Sequence, residues 1–181
     1  RLGGGNMSGK DLANLFDLSG HVALVTGGTG ILGRRITRGL AAHGADLAVI
    51  DLDAGDAEAL AQELEKEHGV RAMGVDCDVS DKAAVNDMVA KVSDTLGDIH
   101  VLHNNAASKT GNPSDFFQPF EDFDYDVWRR IMSVNIDGMF LVAQAVGKRM
   151  VQRGKGGSII QTASTYGVVG PDSRIYEGSK Y

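Results

Sequence analysis

The sequence is poor in cysteine, proline and long apolar runs, and each shortage excludes a class of protein. Cys77 is the single cysteine among 181 residues, so no internal disulfide can form, and we expect a reducing, cytoplasmic setting. Only 3 prolines accompany 24 glycines, a balance typical of a fold with many tight turns rather than of a disordered chain. No apolar run reaches the ~18 residues that a membrane-spanning helix needs.

Basic residues are also in short supply. The chain carries 18 basic and 24 acidic residues, a net charge of −6, which argues against a broad nucleic-acid-binding surface. Its histidines are scattered and Cys77 stands alone, so the sequence predicts no metal site. Residues 1–14 are glycine-rich and polar, without the apolar core of a secretory signal. We expect a flexible segment there, followed by one domain over residues 15–181.

From residue 21 onward, short apolar runs alternate with amphipathic stretches. The predicted strands are 21–26, 46–50, 71–75, 99–102 and 158–161. The predicted helices are 34–43, 57–68, 81–96 and 125–153, the last with Trp128, Ile131, Met132, Val134 and Ile136 turned inward. This alternation predicts an α/β fold, a Rossmann-type doubly wound parallel sheet with helices on both faces, incomplete at its C-terminal end. A ligand is expected at the carboxyl ends of the strands.

A glycine-rich turn of sequence TGGTGILG follows the first predicted strand and leads into the first predicted helix. Glycine permits the tight turn and a close approach of the backbone to a pyrophosphate, which free N–H groups at a helix start can bind. The glycines alone are equally compatible with a plain turn, and their place between strand and helix favours a nucleotide site. The residues expected to hold the nucleotide here are Gly27, Thr29, Gly30, Ile31, Leu32 and Gly33.

An acidic residue ends the second predicted strand, about 20 residues beyond the glycine-rich turn. This residue is Asp51, and Leu52 follows it as a further expected contact. A carboxylate in this position accepts hydrogen bonds from the adenosine ribose hydroxyls and repels a 2′-phosphate, which favours NAD over NADP. Arg34 and Arg35 count against that preference, because an arginine can hold a 2′-phosphate.

Four later motifs follow in order along the chain. They are Asp78-Val79, Asn104-Asn105-Ala106-Ala107, Asn135 within Ser-Val-Asn, and Ser164 within Thr-Ala-Ser-Thr-Tyr-Gly. Together with the glycine-rich turn and the acid after the second strand, this order resembles the compact branch of the short-chain dehydrogenase/reductase family. The resemblance extends over residues 21–180.

The resemblance implies a role for each motif. Asp78 would hydrogen-bond the adenine edge and Val79 would pack on that ring. Asn104 would brace the central strands, and Ala106 would let the cofactor lie close to the backbone. In the proton relay Asn135 would hold a water, and Ser164 would hydrogen-bond the substrate oxygen. Each residue also has a purely structural interpretation: a turn for Asp78, a buried amide for Asn104, a helix kink for Asn135 and a strand-end cap for Ser164.

Three positions depart from the family pattern. The glycines are spaced as Gly27, Gly30 and Gly33, a spacing that resembles the extended branch, and Ala107 stands where the family has glycine. Tyr176 and Lys180 fit Tyr-x-x-x-Lys, whose helical spacing lets the ammonium lower the pKa of the phenol. However, Tyr176 lies one residue nearer to the motif serine than is usual. Residues 168–179 also resemble an insertion, so a catalytic pair beyond residue 181 is an equal alternative.

These patterns predict an NAD(P)-dependent oxidoreductase that transfers hydride reversibly between a secondary alcohol and a ketone. Polar residues in the expected substrate loops hint at a polyol or sugar acid. The alternatives are a sugar-nucleotide epimerase or dehydratase of the extended branch, and a non-catalytic NAD-binding regulatory protein. We expect a small-molecule substrate, no nucleic-acid or membrane partner, and a homodimer or homotetramer for the full-length protein.

Overall fold

The computed structural model describes residues 15–109 and 118–170. The strands are β1 Val22–Thr26, β2 Asp46–Asp51, β3 Ala72–Asp76, β4 Ile99–Asn104 and β5 Ser158–Gln161. The α-helices are α1 Ile31–Ala42, α2 Ala54–His68, α3 Lys82–Leu96, α4 Tyr125–Met132 and α5 Met139–Arg153. A π-helical segment, Ser133–Gly138, joins α4 to α5, and short 3₁₀ turns span Phe120–Asp122 and Thr165–Gly167. The N-terminal segment 1–14, Tyr176 and Lys180 lie outside the described residues.

The five strands form one parallel sheet in the order β3-β2-β1-β4-β5. Alternate residues of β1 enter two separate apolar cores. Leu24 lies in the core that α3 and α5 cover, and Val25 lies in the core that α1 and α2 cover. Helices therefore pack on both faces, which confirms the predicted α/β fold and its five strands.

Three of the helices begin at an aspartate whose carboxylate accepts main-chain N–H groups. Asp53 caps α2, Asp81 caps α3 and Asp124 caps α4. Such a cap satisfies donors that have no partner within the helix. Helix α1 differs, because Gly30 precedes it without a side-chain cap and its first turn holds no acidic residue.

Strand β3 forms an edge of the described sheet, and α2 packs unusually close to it. A Cβ on Gly74 would lie 2.2 Å from the main-chain nitrogen of Glu58, so only glycine fits there. The Glu58 carboxylate accepts the main-chain N–H of Gly74 at 3.2 Å. The Glu65 carboxylate accepts that of Ala72 at 3.0 Å. Side chains of α2 thus occupy two outward-facing donors of the edge strand.

The predicted long helix over 125–153 is interrupted. The π-helical segment between α4 and α5 rotates the side chains relative to a regular α-helix. A prediction that assumes a regular α-helical period therefore assigns buried and exposed positions wrongly from this segment onward. Ile136, predicted to be buried, is 60% exposed. Trp128 is 42% exposed and stacks on Tyr125, because α4 packs inward through Val127 and its i+4 neighbour Ile131. The prediction was right for Ile131 and wrong for Trp128 and Ile136.

Candidate active site

The glycine-rich turn between β1 and α1 is packed too tightly for side chains at three positions. Gly27 has a φ of +61°, and a Cβ there would lie 2.9 Å from Cα of Ala106. A Cβ on Gly33 would lie 2.0 Å from the carbonyl oxygen of Gly27, and one on Gly28 would lie 2.7 Å from Cγ1 of Val49. Gly30 is less restricted, since its nearest atom would be 3.4 Å away. The sterically required set is 27, 28 and 33, and sequence reasoning overlooked Gly28.

The start of α1 opens onto the carboxyl end of the sheet. Its first N–H groups lack a side-chain cap, and Arg34 rather than an acid occupies the first turn. A cation there is unfavourable for the helix dipole, whereas an anion bound at the N-terminus would complement it. Ile31 and Leu32 are 89% and 60% exposed, so two apolar side chains border this opening.

Asp51, at the end of β2, is held by hydrogen bonds at both carboxylate oxygens. Its Oδ2 accepts the main-chain N–H of Thr29 at 2.9 Å and the Thr29 hydroxyl at 2.6 Å. Its Oδ1 accepts the main-chain N–H of Leu52 at 2.8 Å. The Nε of Arg34 donates to the carbonyl oxygen of Thr29 at 2.9 Å. Thr29 thus contacts both residues on which the prediction of cofactor preference from the sequence depends, the acid Asp51 and the base Arg34.

A cleft of about 160 Å³ extends from Asp51 along the ends of β2, β3 and β4. The predicted cofactor contacts that line it are Gly27, Asp51, Leu52, Asp78, Val79 and Ala106. Asp78 accepts both the N–H and the hydroxyl of Ser80 on one oxygen. Cys77 also lines the cleft, and burial, reinforced by the charge of Asp78, raises the pKa of its thiol to about 11.

Two adjacent asparagines after β4 have different partners. Asn105 donates to the carbonyl oxygens of Thr26 and Gly27 at 3.3 and 3.1 Å. The Thr26 hydroxyl oxygen accepts the main-chain N–H groups of Asn105 and Ala106, both at 3.0 Å. Asn104, expected to brace the strands, instead donates to the carbonyl oxygen of Met139 in α5 at 2.9 Å. In addition to the pairing of the two strands, Thr26 and Asn105 therefore join the ends of β1 and β4, roles that the sequence did not indicate.

The π-helical segment contacts the cleft from the other side. Asn135 Oδ1 accepts the main-chain N–H of Ser108 at 2.6 Å, and its Nδ2 donates to the Ser108 carbonyl oxygen at 3.0 Å. Gly138 packs against the cleft wall, since a Cβ there would lie 2.8 Å from Cγ2 of Val79. One short segment therefore touches both the residues that follow β4 and the predicted adenine-packing valine.

Ser164 lies three residues after β5, the strand that pairs with β4. The main-chain N–H of Thr162 donates to the carbonyl oxygen of Asn104 at 3.0 Å, and Ser164 Oγ accepts the N–H of Tyr166 at 3.1 Å. The hydroxyl oxygen therefore caps the 3₁₀ turn Thr165–Gly167, whereas the structural interpretation had expected a cap at the end of the strand. His103 on β4 lies 3.1 Å from the Thr162 hydroxyl, and burial lowers the pKa of its imidazole.

Within the described ranges, no three His, Cys, Asp or Glu side chains group together in a way that would hold a metal ion. Over the same part of the chain, no helix combines the length and the apolar character needed to cross a membrane.

The family model for short chain dehydrogenases matches residues 21–181, most of the chain. The chain belongs to the short-chain dehydrogenase family. It is 38% identical over 167 residues to D-threitol dehydrogenase of Mycolicibacterium smegmatis, covering 92% of this chain and 61% of that protein. The family predicted from the order of motifs is thereby confirmed.

Solved structures give the same assignment. An NAD⁺-bound xylitol dehydrogenase superposes with a TM-score of 0.77 and 33% identity, covering 89% of this chain and 59% of that one. Gluconate 5-dehydrogenase of Burkholderia cenocepacia, in complex with NADP and tartrate, superposes with a TM-score of 0.80 and 33% identity, covering 90% and 60%. The chain thus spans about three fifths of the length of these relatives.

Proposed function

We propose that the protein is an NAD(P)-dependent oxidoreductase that interconverts a secondary alcohol and a ketone. The observation that carries this proposal is the convergence of three features at the carboxyl ends of parallel strands. An uncapped helix start, the carboxylate of Asp51 and the clamp between Asn135 and Ser108 all border one region. In doubly wound sheets this is where dinucleotides bind.

The residues present fit such a cofactor. Gly27, Gly28 and Gly33 form a turn that a Cβ would fill, and the open N–H groups of α1 suit a pyrophosphate. Asp51 would accept ribose hydroxyls, while Asp78 and Val79 would line the adenine side of the cleft. When bound, the nicotinamide supplies the hydride acceptor or donor.

We propose NAD as the preferred cofactor, with NADP as the weaker one. Asp51 lines the cleft with its carboxylate fixed, which would repel a 2′-phosphate. Arg34 opposes that preference. Its Nη1 and Nη2 have no hydrogen-bond partner among residues 15–109 and 118–170, so both remain able to donate to a 2′-phosphate. The relatives include both NAD⁺ and NADP complexes, so a direct comparison of the two cofactors is the relevant test.

Asn135 has two roles in this proposal. Its Oδ1 and its Nδ2 each form one hydrogen bond with the backbone of Ser108, which positions the residues after β4. An amide oxygen and an amide nitrogen can each form a second hydrogen bond, so the side chain keeps the capacity to hold the relay water. Ser164 Oγ accepts the N–H of Tyr166 and keeps its O–H group to donate to the substrate oxygen. The proton donor is Tyr176 with Lys180, or an equivalent pair beyond residue 181.

A polyol or sugar acid is the proposed substrate class. The relatives named above act on threitol, xylitol and gluconate according to their names, all of them polyhydroxylated. The cytoplasmic location and the homodimeric or homotetrameric state of the full-length protein stay predictions from the sequence.

The test is oxidation of a substrate panel by the full-length protein with NAD⁺, followed through the absorbance of the reduced nicotinamide. We expect turnover of polyols or sugar acids and none of apolar secondary alcohols. Activity confined to apolar alcohols would overturn the substrate class. Conversion of a nucleotide sugar without net reduced cofactor would indicate the epimerase. Tight NADH binding with no turnover of any compound would indicate a regulatory protein.

A further inference from the structure

Thr29 joins the two oppositely charged side chains that bear on cofactor choice. Its main-chain N–H and its hydroxyl both donate to Oδ2 of Asp51, at 2.9 and 2.6 Å, and its carbonyl oxygen accepts from Nε of Arg34 at 2.9 Å. Thr29 and Asp51 are half-buried, so water competes only in part for these hydrogen bonds. The short O–H···O distance is typical of a charge-assisted hydrogen bond.

The carboxylate of Asp51 is thereby fixed in orientation. A carboxylate offers about four lone-pair sites. Thr29 fills two sites on Oδ2 and the N–H of Leu52 fills one on Oδ1, so acceptor capacity remains on Oδ1. Rotation of the carboxylate would break its hydrogen bond to the Thr29 hydroxyl. That bond therefore keeps the free acceptor site of Oδ1 pointing in one direction.

Thr29 also keeps the acid and the base apart. Arg34 and Asp51 form no ion pair within 4.0 Å in the part of the chain that the structure describes, although both contact the same residue. Opposite charges this close attract each other. A carboxylate released from Thr29 could turn toward the guanidinium, which would neutralise the charge that opposes a 2′-phosphate.

We propose that Thr29 is a positioning residue that sets the preference for NAD over NADP. Its hydroxyl holds the carboxylate of Asp51 toward the adenosine ribose, and the preference depends on that bond. The inference rests on the proposed dinucleotide-binding function and extends it from the acid itself to the residue that orients it.

The test is calorimetric titration of the full-length protein with NADH and with NADPH. Thr29→Val keeps the shape and the main-chain donor but removes the hydroxyl. We expect it to lower the NADH/NADPH affinity ratio about fivefold, as loss of a partly exposed charge-assisted hydrogen bond would. Thr29→Ser retains the hydroxyl and should keep the ratio within about twofold of the wild type. Thermal unfolding of each variant checks that the fold is retained.

A double-mutant cycle distinguishes positioning from general damage. Asp51→Ala should remove the preference, and Thr29→Val added to it should change the ratio no further, since there is no carboxylate left to orient. A ratio unchanged by Thr29→Val, an equal loss in Thr29→Ser, or a further change in the Asp51→Ala background would each overturn the inference. Failure of the wild type to bind either nucleotide would overturn the proposed function and the inference together.

Discussion

Asn135 and Ser108 are joined by two hydrogen bonds that run in opposite directions. The side-chain oxygen of Asn135 accepts at 2.6 Å, and the side-chain nitrogen donates at 3.0 Å, both to the backbone of Ser108. A single amide therefore satisfies one main-chain donor and one main-chain acceptor of the segment after β4. The arrangement fixes this segment against the π-helical turn beside the cleft.

Replacing Asn135 by alanine should lower both stability and turnover. It leaves the N–H and carbonyl of Ser108 without partners, at a cost of about 1–2 kcal/mol in the free energy of unfolding. We expect kcat of the full-length protein to fall at least about tenfold, because the segment after β4 loses its fixed position. Asn135→Asp tests the direction of the bonds, since it keeps the acceptor but places an oxygen against the Ser108 carbonyl. Full activity in Asn135→Asp would contradict the two-bond clamp.

Gly138→Ala should weaken cofactor binding. Its Cβ would lie 2.8 Å from Cγ2 and 3.1 Å from the carbonyl oxygen of Val79, so the wall of the cleft has to move. Overpacking of this kind costs about 1–3 kcal/mol. The readouts are the KM for NAD⁺ and the urea midpoint.

Gly147→Ala is the matched control for Gly138→Ala, because Gly147 lies on the following helix. Among the described residues, a Cβ there would meet only Ile159 Cδ1, at 3.7 Å. This substitution should leave the KM unchanged. Equal effects of the two substitutions would show that the contact with Val79 has no special importance.

Gly33→Ala and Gly39→Ala, both in α1, should act in opposite directions. A Cβ on Gly33 would lie 2.0 Å from the carbonyl oxygen of Gly27, whereas one on Gly39 would meet no atom of residues 15–109 and 118–170 within 4 Å. The first should cost more than about 3 kcal/mol or prevent folding, as severe core overpacking does. The second should stabilise by about 0.5–1 kcal/mol through helix propensity. Chemical denaturation checks both, and a mild Gly33→Ala phenotype would contradict the packing of the turn.

His100 should make the protein less stable as the pH falls below about 6.5. Burial, followed by the positive charges of Arg153 and His21, lowers the pKa of its imidazole, with Asp98 opposing. Nδ1 accepts the main-chain N–H of Val22 at 3.1 Å, which requires that nitrogen to be unprotonated. The unfolded chain therefore binds more protons than the folded one between the folded pKa and 6.5. The contribution is complete above pH 6.5 and is lost as the pH falls through the folded pKa.

Urea unfolding at about pH 5, 6 and 7 checks this dependence. His100→Asn should show a smaller change in the free energy of unfolding across the interval than the wild type does. His103, whose pKa burial also lowers, contributes in the same direction and keeps some dependence in the variant. A variant with an undiminished pH dependence would contradict the role of His100.

Cys77 should resist alkylation in the folded protein. Its thiol pKa is raised from 9.0 to about 11, so the thiolate population near neutral pH falls about a hundredfold. Iodoacetamide labelling followed by mass spectrometry should be slower by at least about that factor in the native protein than in urea. Similar rates in both conditions would show that the thiol is accessible.

The sequence was sufficient to predict the five strands and most of the helices, because glycine turns and apolar runs are local signals. It was not sufficient where a contact joins distant segments. Nothing near Thr26 or Asn105 indicates that these residues meet across 79 positions. The sequence indicated an irregularity in this helix only through the alternative of a kink at Asn135, because Ser133–Gly138 contains no residue that forbids an α-helix. The π-helical shape comes with contacts to Ser108 and Val79.

In the candidate site, too, local signals could be predicted and contacts between distant residues could not. Asp51 and the glycines at 27, 30 and 33 were identified by residue type and spacing. The hydrogen bond from the Thr29 hydroxyl to Asp51 depends on side-chain orientation, which the sequence does not give. Asn104 was correctly placed as a buried amide, but its partner is a helix carbonyl rather than a strand. Spacing alone cannot choose between two main-chain acceptors.

Glu58 and Glu65 make the two edges of the described sheet different. By occupying the outward N–H groups of Gly74 and Ala72, these carboxylates leave no free donors there for another strand to pair with. Strand β5 forms the opposite edge, and all four of its residues are exposed. Two side chains of a single helix therefore disfavour the pairing of another strand with β3, whereas no side chain makes such a contact with the outer side of β5 in the described part of the chain.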